Sequence, residues 1–439
     1  MNCSGATHSG QLKERKAELQ RRAGQTIERV LNAKRDVLQL IGKWDQAMEM
    51  AEKCQELAEA LNNVEKKATS LNNIGLIYRA RGDYALALEH YEKSLRIREE
   101  IGDRSGQATS LNNIGNVYHA HGDYVLALKH LEKSLMIFKE LGDRSGQALS
   151  LSNIGVIHYA CENHSLALEH YEKSLRIREE IGDWPGQAAI LNNIGNIEYY
   201  RGDHAQALKH LKKSLKVFGE IGDRSGQAAS LNNIGSIHRA CGDYALALEH
   251  YEKSLRIREE MGDRRGQAFS LNNIGGILAE RGDHALSLEH LTRSFDIQKN
   301  MGFKTLICET ICEIAKNKIH FGQLSEARED IARGVVVSKE LKSISDEARC
   351  RAAYGLLYCE SREFGKAGEH YEKAISLYEE LNQKDDLAHI LLDYGRMLRA
   401  SGAHKKACPQ LEKATALFGE MGLDFWADKV GKLLGDPSL

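Results

Sequence analysis

The stretch SLNNIGNVYHAHGDY, residues 110–124, decides the fold because the chain writes it more than once. Near-copies stand at residues 70–84, 150–164, 190–204, 230–244 and 270–284. Aligned on one glycine, they give Gly75, Gly115, Gly155, Gly195, Gly235 and Gly275, forty residues apart without an insertion. A fixed period of this length marks a stacked repeat array. Inside the stretch, Leu111, Ile114, Gly115 and Tyr118 fall at i, i+3, i+4 and i+7, one apolar helical face. Gly122 stops that helix and Asp123 opens the next as its N-cap. In the first regular unit the second helix keeps Ala87, Tyr91 and Leu95 on one face, and Gly102 ends it. Small Gly75 and Ala87 predict a close approach of the two helices.

Outward from the regular core the pattern weakens but continues. Residues 42–61 match residues 82–101, and Gly322, Arg362 and Gly402 take the turn position of Gly82. The reading is all-α, about ten antiparallel helix pairs in a right-handed α-solenoid. Its expected parts are an N-terminal tail and charged helix start (1–23), a divergent first repeat (24–62), six regular units (63–301), three divergent units (302–421), and a cap helix with tail (422–439).

Length and composition agree. The 439 residues exceed what one compact core usually holds, whereas a repeat array has no such limit. Lys and Arg number 60 against 62 Asp and Glu, which gives no electrostatic footprint for nucleic acid or an anionic membrane. No apolar run is long enough to span a bilayer. The N-terminus lacks the apolar core of a signal peptide, and nine scattered cysteines suit a reduced setting, so a cytoplasmic protein is expected.

Leu71-x2-Ile74-Gly75-x2-Tyr78 followed by Ala87-x3-Tyr91 resembles the tetratricopeptide repeat. The usual 34-residue unit carries a proline near its end. Glu99 stands there instead, so the second helix can run on through Ile101. Forty-residue units of this kind resemble those of Pins-type adaptors, kinesin light chains and prokaryotic repeat proteins. The resemblance implies a superhelix whose first helices line a concave wall. A second period of eighty overlies the first: ALEHYEKSLRIREE recurs letter for letter at 87–100, 167–180 and 247–260. The array therefore grew by duplicating pairs of units, and copy number alone does not argue for a role.

On a helical wheel Asn73 lies nearly opposite the apolar centre, and Asn72 lies nearer its edge. The resemblance puts Asn73, Asn113, Asn153, Asn193, Asn233 and Asn273 in the groove, one per unit. An amide both donates and accepts, so it can hold peptide backbone whatever the peptide's side chains are. Structural pairing between units is the alternative, and the expected role of Asn72, Asn112, Asn192, Asn232 and Asn272. Asn116 and Asn196 join the same wall, and Arg79, His119, Tyr159, Tyr199, Tyr200 and Arg239 supply a rim of hot-spot residue types. Glu313, Ala353 and Asp393 replace the ladder asparagine later on, so a different surface is expected there.

Other signals carry less. The one histidine per second helix (His90, His130, His170, His210, His250, His290 and His370) reads as a solvated or inter-unit position, since no ligand follows at i+4. Cys308 and Cys312 share a helical face without a further ligand at usual spacing, which favours buried packing. The GDRSGQA segments lack the Gly-Lys-Ser/Thr of a phosphate-binding loop. Arg104, Arg144, Arg224 and Arg264 form a basic row that reads as solvated turn charge. No nucleophile–base arrangement stands out. The expectation is a non-enzymatic scaffold that binds an extended or partly helical peptide segment of a protein partner, without metal, cofactor, nucleic acid or membrane. A ligand-responsive regulatory module acting on a separate effector and a self-assembling homo-oligomer are the alternatives.

Overall fold

The computed structural model describes residues 4–40, 42–303 and 306–435. Among them are 21 helices and no strand. Helix α1 spans Ser4–Leu40 without a break, α2 Trp44–Ala60, α3 Val64–Arg81, α4 Tyr84–Glu100, α5 Arg104–His121, α6 Tyr124–Glu140 and α7 Arg144–Ala160. Then come α8 His164–Glu180, α9 Trp184–Tyr200, α10 His204–Glu220, α11 Arg224–Ala240, α12 Tyr244–Met261, α13 Arg264–Glu280 and α14 His284–Met301. The last are α15 Ile307–His320, α16 Leu324–Leu341, α17 Ile344–Glu360, α18 Phe364–Glu380, α19 Lys384–Ala400, α20 His404–Glu420 and α21 Asp424–Gly435. This is the expected α-solenoid: odd- and even-numbered helices alternate as the first and second members of ten pairs, and α21 is the closing half-unit. Contacts divide the chain into two units, Met1–Ile190 and Leu191–Leu439.

Each pair closes on a glycine. A Cβ on Gly75 would stand 2.7 Å from Cε1 of Tyr91, and one on Gly115 or Gly195 would stand 2.7 or 2.8 Å from Cγ of Leu131 or Leu211. Tyr91, Leu131 and Leu211 are buried because the bare backbone admits them. The turns divide by type. Gly82 and Gly122 end their helices at φ 87° and 85°, a left-handed conformation that costs glycine least. At the other turn Asp103, Asp143, Asp223 and Asp263 cap the next helix, accepting from the N–H of Gly106, Gly146, Gly226 and Gly266. Asp83 occupies a cap position but makes no side-chain cap bond.

Those second glycines explain the eighty-residue period. Their missing Cβ makes room for a large side chain from the preceding helix, alternately Arg98, Phe138 and Arg178 in the first unit. Arg98 is buried and meets Asp103 at 3.3 Å, and Arg178, half-buried, pairs with Asp183. Buried serines lock neighbouring pairs. Ser94 Oγ donates to the Ala68 carbonyl at 2.8 Å and lies 3.3 Å from Ser110 Oγ, and Ser254 repeats this with Ala228 and Ser270. The turn arginines are not free charge. Arg104 meets Glu140 at 2.7 Å, and Arg144 and Arg224 pair with Glu180 and Glu260.

The histidines also settle differently from the sequence reading. They are half-buried, and most stack within their own pair, among them His90 on Tyr78 at 5.3 Å, His170 on His158 at 5.2 Å and His250 on His238 at 5.5 Å, whereas His210 meets Glu198 at 2.7 Å. Burial holds His170 and His250 below the ordinary histidine range. His158 and Lys173 add to this for the first, His238 and Lys253 for the second, and Glu169 and Glu249 oppose it.

Two predictions follow from the packing. Gly146→Ala drives a Cβ to 2.2 Å from the Phe138 ring, and should destabilise by about 1–3 kcal/mol in urea unfolding. Gly431→Ala, in open space on α21, should instead gain about 0.5–1 kcal/mol. Because the folded histidines favour the neutral ring, the unfolded chain binds more protons just below the ordinary histidine pKa of about 6.5. Their contribution is therefore complete above that pH and is lost as pH falls. Thermal unfolding followed from pH 8 to pH 5.5 should show a falling Tm, with a smaller drop in the double variant His170→Gln/His250→Gln.

Candidate functional site

The amide pair of the repeated stretch forms a hydrogen-bonded series. In the first unit Asn113 Nδ2 donates to Asn72 Oδ1 at 2.8 Å, Asn153 to Asn112 at 3.1 Å, and Asn73 to Asn32 at 3.5 Å. In the second unit Asn233 donates to Asn192 at 3.3 Å and Asn273 to Asn232 at 2.9 Å. The second amide of one repeat's pair thus holds the first amide of the repeat before it. The donors are half-buried, and each bond uses one Nδ2 hydrogen. Pairing between repeats therefore leaves the second Nδ2 hydrogen of each donor unused by that bond.

Within the second unit the first helices and α21 surround a cavity of about 1000 Å³. Four of the sequence-stated candidates line it: Tyr199, Tyr200, Arg239 and Asn273. Arg79, Asn73, Asn113, Asn116, His119, Asn153 and Tyr159 sit on α3, α5 and α7 of the first unit. Asn193 and Asn196 on α9 and Asn233 on α11 are half-buried and stand outside the cavity lining. Seven of the fourteen candidates thus lie in the first unit and seven in the second.

The cavity exists because α21 folds back on earlier turns of the same unit. His204 Nε2 is 3.0 Å from the Gly422 carbonyl oxygen, and Tyr244 meets Phe425 edge-on at 5.9 Å. Gly202 and Gly422 approach so closely that a Cβ on Gly202 would lie 2.9 Å from the Met421 carbonyl oxygen. Both have positive φ, 81° and 65°. Tyr199 and Ala240 join the apolar cluster of α17 to α21.

Charge dominates the wall. Seven carboxylates, among them Glu309, Glu313, Asp386 and Asp393, face five cations: Arg239, Lys316, Arg349, Arg396 and Lys429. Most are matched. Arg239 Nε donates to Glu280 at 3.0 Å, Lys316 meets Glu313 at 2.7 Å, and Arg396 meets Asp393 at 3.5 Å. Arg349 holds Asp346 at 2.9 Å and Glu309 at 3.8 Å, and Asn272 Nδ2 donates to Glu309 at 2.7 Å. Lys429 lies 4.5 Å over the Trp426 ring. Burial pushes Glu309 and Asp386 above the usual carboxylate range against the pull of Arg349. Such a wall can recognise a polar ligand by charge and hydrogen bonding.

Sequence reasoning did not select Glu309, Lys316, Arg349, Asp386, Arg396 or Lys429. Its one available signal was the replacement of the ladder asparagine by Glu313 and Asp393, where a different surface was expected.

The tetratricopeptide repeat family profile matches residues 27–100, 66–140, 146–220, 226–300 and 348–420. No curated protein sequence matches the chain. Among solved structures, a Rap protein complexed with Competence and Sporulation Factor shares 14% identity, covering 91% of this chain and 99% of its own, with a TM-score of 0.58. The apo quorum sensor NprR from B. thuringiensis shares 19% identity over 77% of this chain and 97% of its own, at 0.54. Aspartyl phosphate phosphatase F from Bacillus subtilis shares 13% over 80% and 93%, at 0.55. At these identities the likeness is one of fold. No helix among the described residues is long and apolar enough to cross a membrane.

The amide series has a direction, and substitution reads it. Asn113→Asp removes the donor and sets a carboxylate against Asn72 Oδ1, so it should cost about 1–2 kcal/mol. Asn72→Asp keeps the acceptor and should cost less. Urea denaturation of the two variants checks the asymmetry.

Proposed function

From the premise that this chain belongs to the tetratricopeptide repeat family, we propose that it is a non-enzymatic peptide receptor whose main site is the cavity of the second unit. The observation that carries this reading is the charged cavity of about 1000 Å³. That volume is at the upper end of the range of about 300–1,000 Å³ usual for small ligands, which suits a ligand of a few amino-acid residues. The excess of carboxylates over cations on the wall favours a ligand with net positive charge. Asn273 offers a backbone contact, Tyr199 and Tyr200 an aromatic one. Asp386 and Asp393 receive cationic groups. A Rap protein of like fold was captured with a named factor, and another structure of like fold is described as a quorum sensor, which adds support. The first helices of the first unit, with Asn73, Asn113 and Asn153, are then a separate contact surface.

A library of short peptides incubated with the purified chain, with bound species identified by mass spectrometry, tests the proposal. Short basic peptides should be enriched, and Asp386→Asn/Asp393→Asn should weaken them by roughly tenfold or more, the scale of one lost charge-assisted contact. Asn113→Ala/Asn153→Ala should leave them nearly unchanged. The reverse pattern, with circular dichroism intact, would move the site to the groove of the first unit.

A further inference from the structure

A second kind of site lies behind the cavity wall, in the core of the eighth helix pair. Cys308 and Cys312 are one turn apart on α15, and Cys350 reaches them from α17. All three are fully buried. Cys350 Sγ is 3.5 Å from Cys308 Sγ and 3.7 Å from Cys312 Sγ, and the three sulfurs lie within 4.8 Å of one another. Sequence reasoning saw the first two cysteines and no third ligand, because Cys350 comes from the next unit.

These residues replace the serine lock of the other pairs. Where the preceding unit has Ala268, Ser294 and Thr310, this one has Cys308, Gly334 and Cys350, and Cys312 stands where Asn272 would. The glycine matters. A Cβ on Gly334 would lie 3.0, 3.6 and 3.7 Å from the sulfurs of Cys350, Cys312 and Cys308. Its absence leaves the face of the sulfur triangle uncrowded.

We propose that Cys308, Cys312 and Cys350 form a trithiol site for a soft, three-coordinate ion, and that its natural class is a trivalent metalloid such as arsenite. Size supports this. A triangle with two sides of 3.5 and 3.7 Å and a third below 4.8 Å has its three corners about 2.1–2.4 Å from a common point, close to a thiolate–metal bond of about 2.3 Å. The sulfurs need not move far to share one centre. Charge selects among soft ions. The surroundings are apolar, with Ala315, Ala327, Ile331, Ala353 and Leu357 in the same cluster. The nearby cation, Arg349, is already matched by Asp346 and Glu309. Three thiolates here need three compensating charges from the ion itself, since uncompensated charge in such a core is costly. A divalent ion leaves one negative charge, and zinc in a structural site also prefers a fourth ligand. A monovalent copper ion leaves more.

Loading arsenite balances without an external reactant. Each As–OH group takes one thiol proton and leaves as water while an As–S bond forms. After three such steps the product is a neutral trithiolate, and no electron has been transferred. Entry requires a local opening of the α15–α17 core, so loading is slow compared with surface binding.

The test uses the full chain, reduced with a phosphine and incubated separately with arsenite and with Cu(I). One arsenic per chain should appear in native mass spectrometry, with loss of three protons. X-ray absorption should find sulfur and no oxygen around it. At arsenite a hundredfold above Kd the Tm should rise by about 3 °C. Cys350→Ser should lose these responses at least tenfold, whereas Cys54→Ser, in the core of the first unit, should keep them. If Cys350→Ser fails to fold by circular dichroism, Cys312→Ala takes its place. Equal arsenite binding by wild type and the cluster variant, mixed sulfur and oxygen coordination, or binding of Cu(I) alone would overturn the assignment.

Discussion

The structure depends on the close approach of two helices at a bare backbone. Gly75, Gly115, Gly155, Gly195, Gly235 and Gly275 each face a large side chain of the partner helix, alternately Tyr and Leu. A Cβ there would overlap the ring or the branched carbon, and cores tolerate such overpacking poorly. With the glycine in place the pair closes, and Ala87 or Ala127 buries completely beside it. The forty-residue period is this contact repeated.

Polar groups then fix how one pair sits on the next. A buried serine hydroxyl reaches a backbone carbonyl of the same pair, and one amide reaches the amide of the preceding first helix. These bonds need a partner at one distance and angle, so they hold register more strictly than apolar burial does. The cysteine cluster replaces the hydroxyl lock where the regular pattern ends. There sulfur, a weaker hydrogen-bonding group, packs around the space that Gly334 leaves. A core position that holds the stack elsewhere becomes chemically distinct here.

The cavity depends on a different kind of contact, between turns far apart in the chain. Gly202 and Gly422 meet backbone to backbone, and Phe425 covers the Gly242 turn. With α21 seated there, charged side chains from α15, α17 and α19 are gathered around one space and partly withdrawn from water. The raised carboxyl groups of Glu309 and Asp386 follow from that withdrawal. A wall of matched charges is preorganised, so a ligand that supplies the missing positive charge meets oriented partners.

The sequence by itself determined the helix pairs, their period, the glycine contact and the turn glycines, because each is a local pattern repeated many times. It also separated Asn112 from Asn113 by position on the wheel, though not the bonds that join Asn113 to Asn72 and Asn153 to Asn112. Tertiary structure alone decided what spans units. It paired the turn arginines with Glu140, Glu180 and Glu260, stacked histidines inside their own pairs, brought Cys350 to Cys308 and Cys312, and folded α21 back to wall one side of the cavity. The physical reason is distance along the chain. A helical wheel orders residues a few positions apart, whereas these contacts join residues from twelve to 218 positions apart, and small rotations accumulated from pair to pair decide which of them meet.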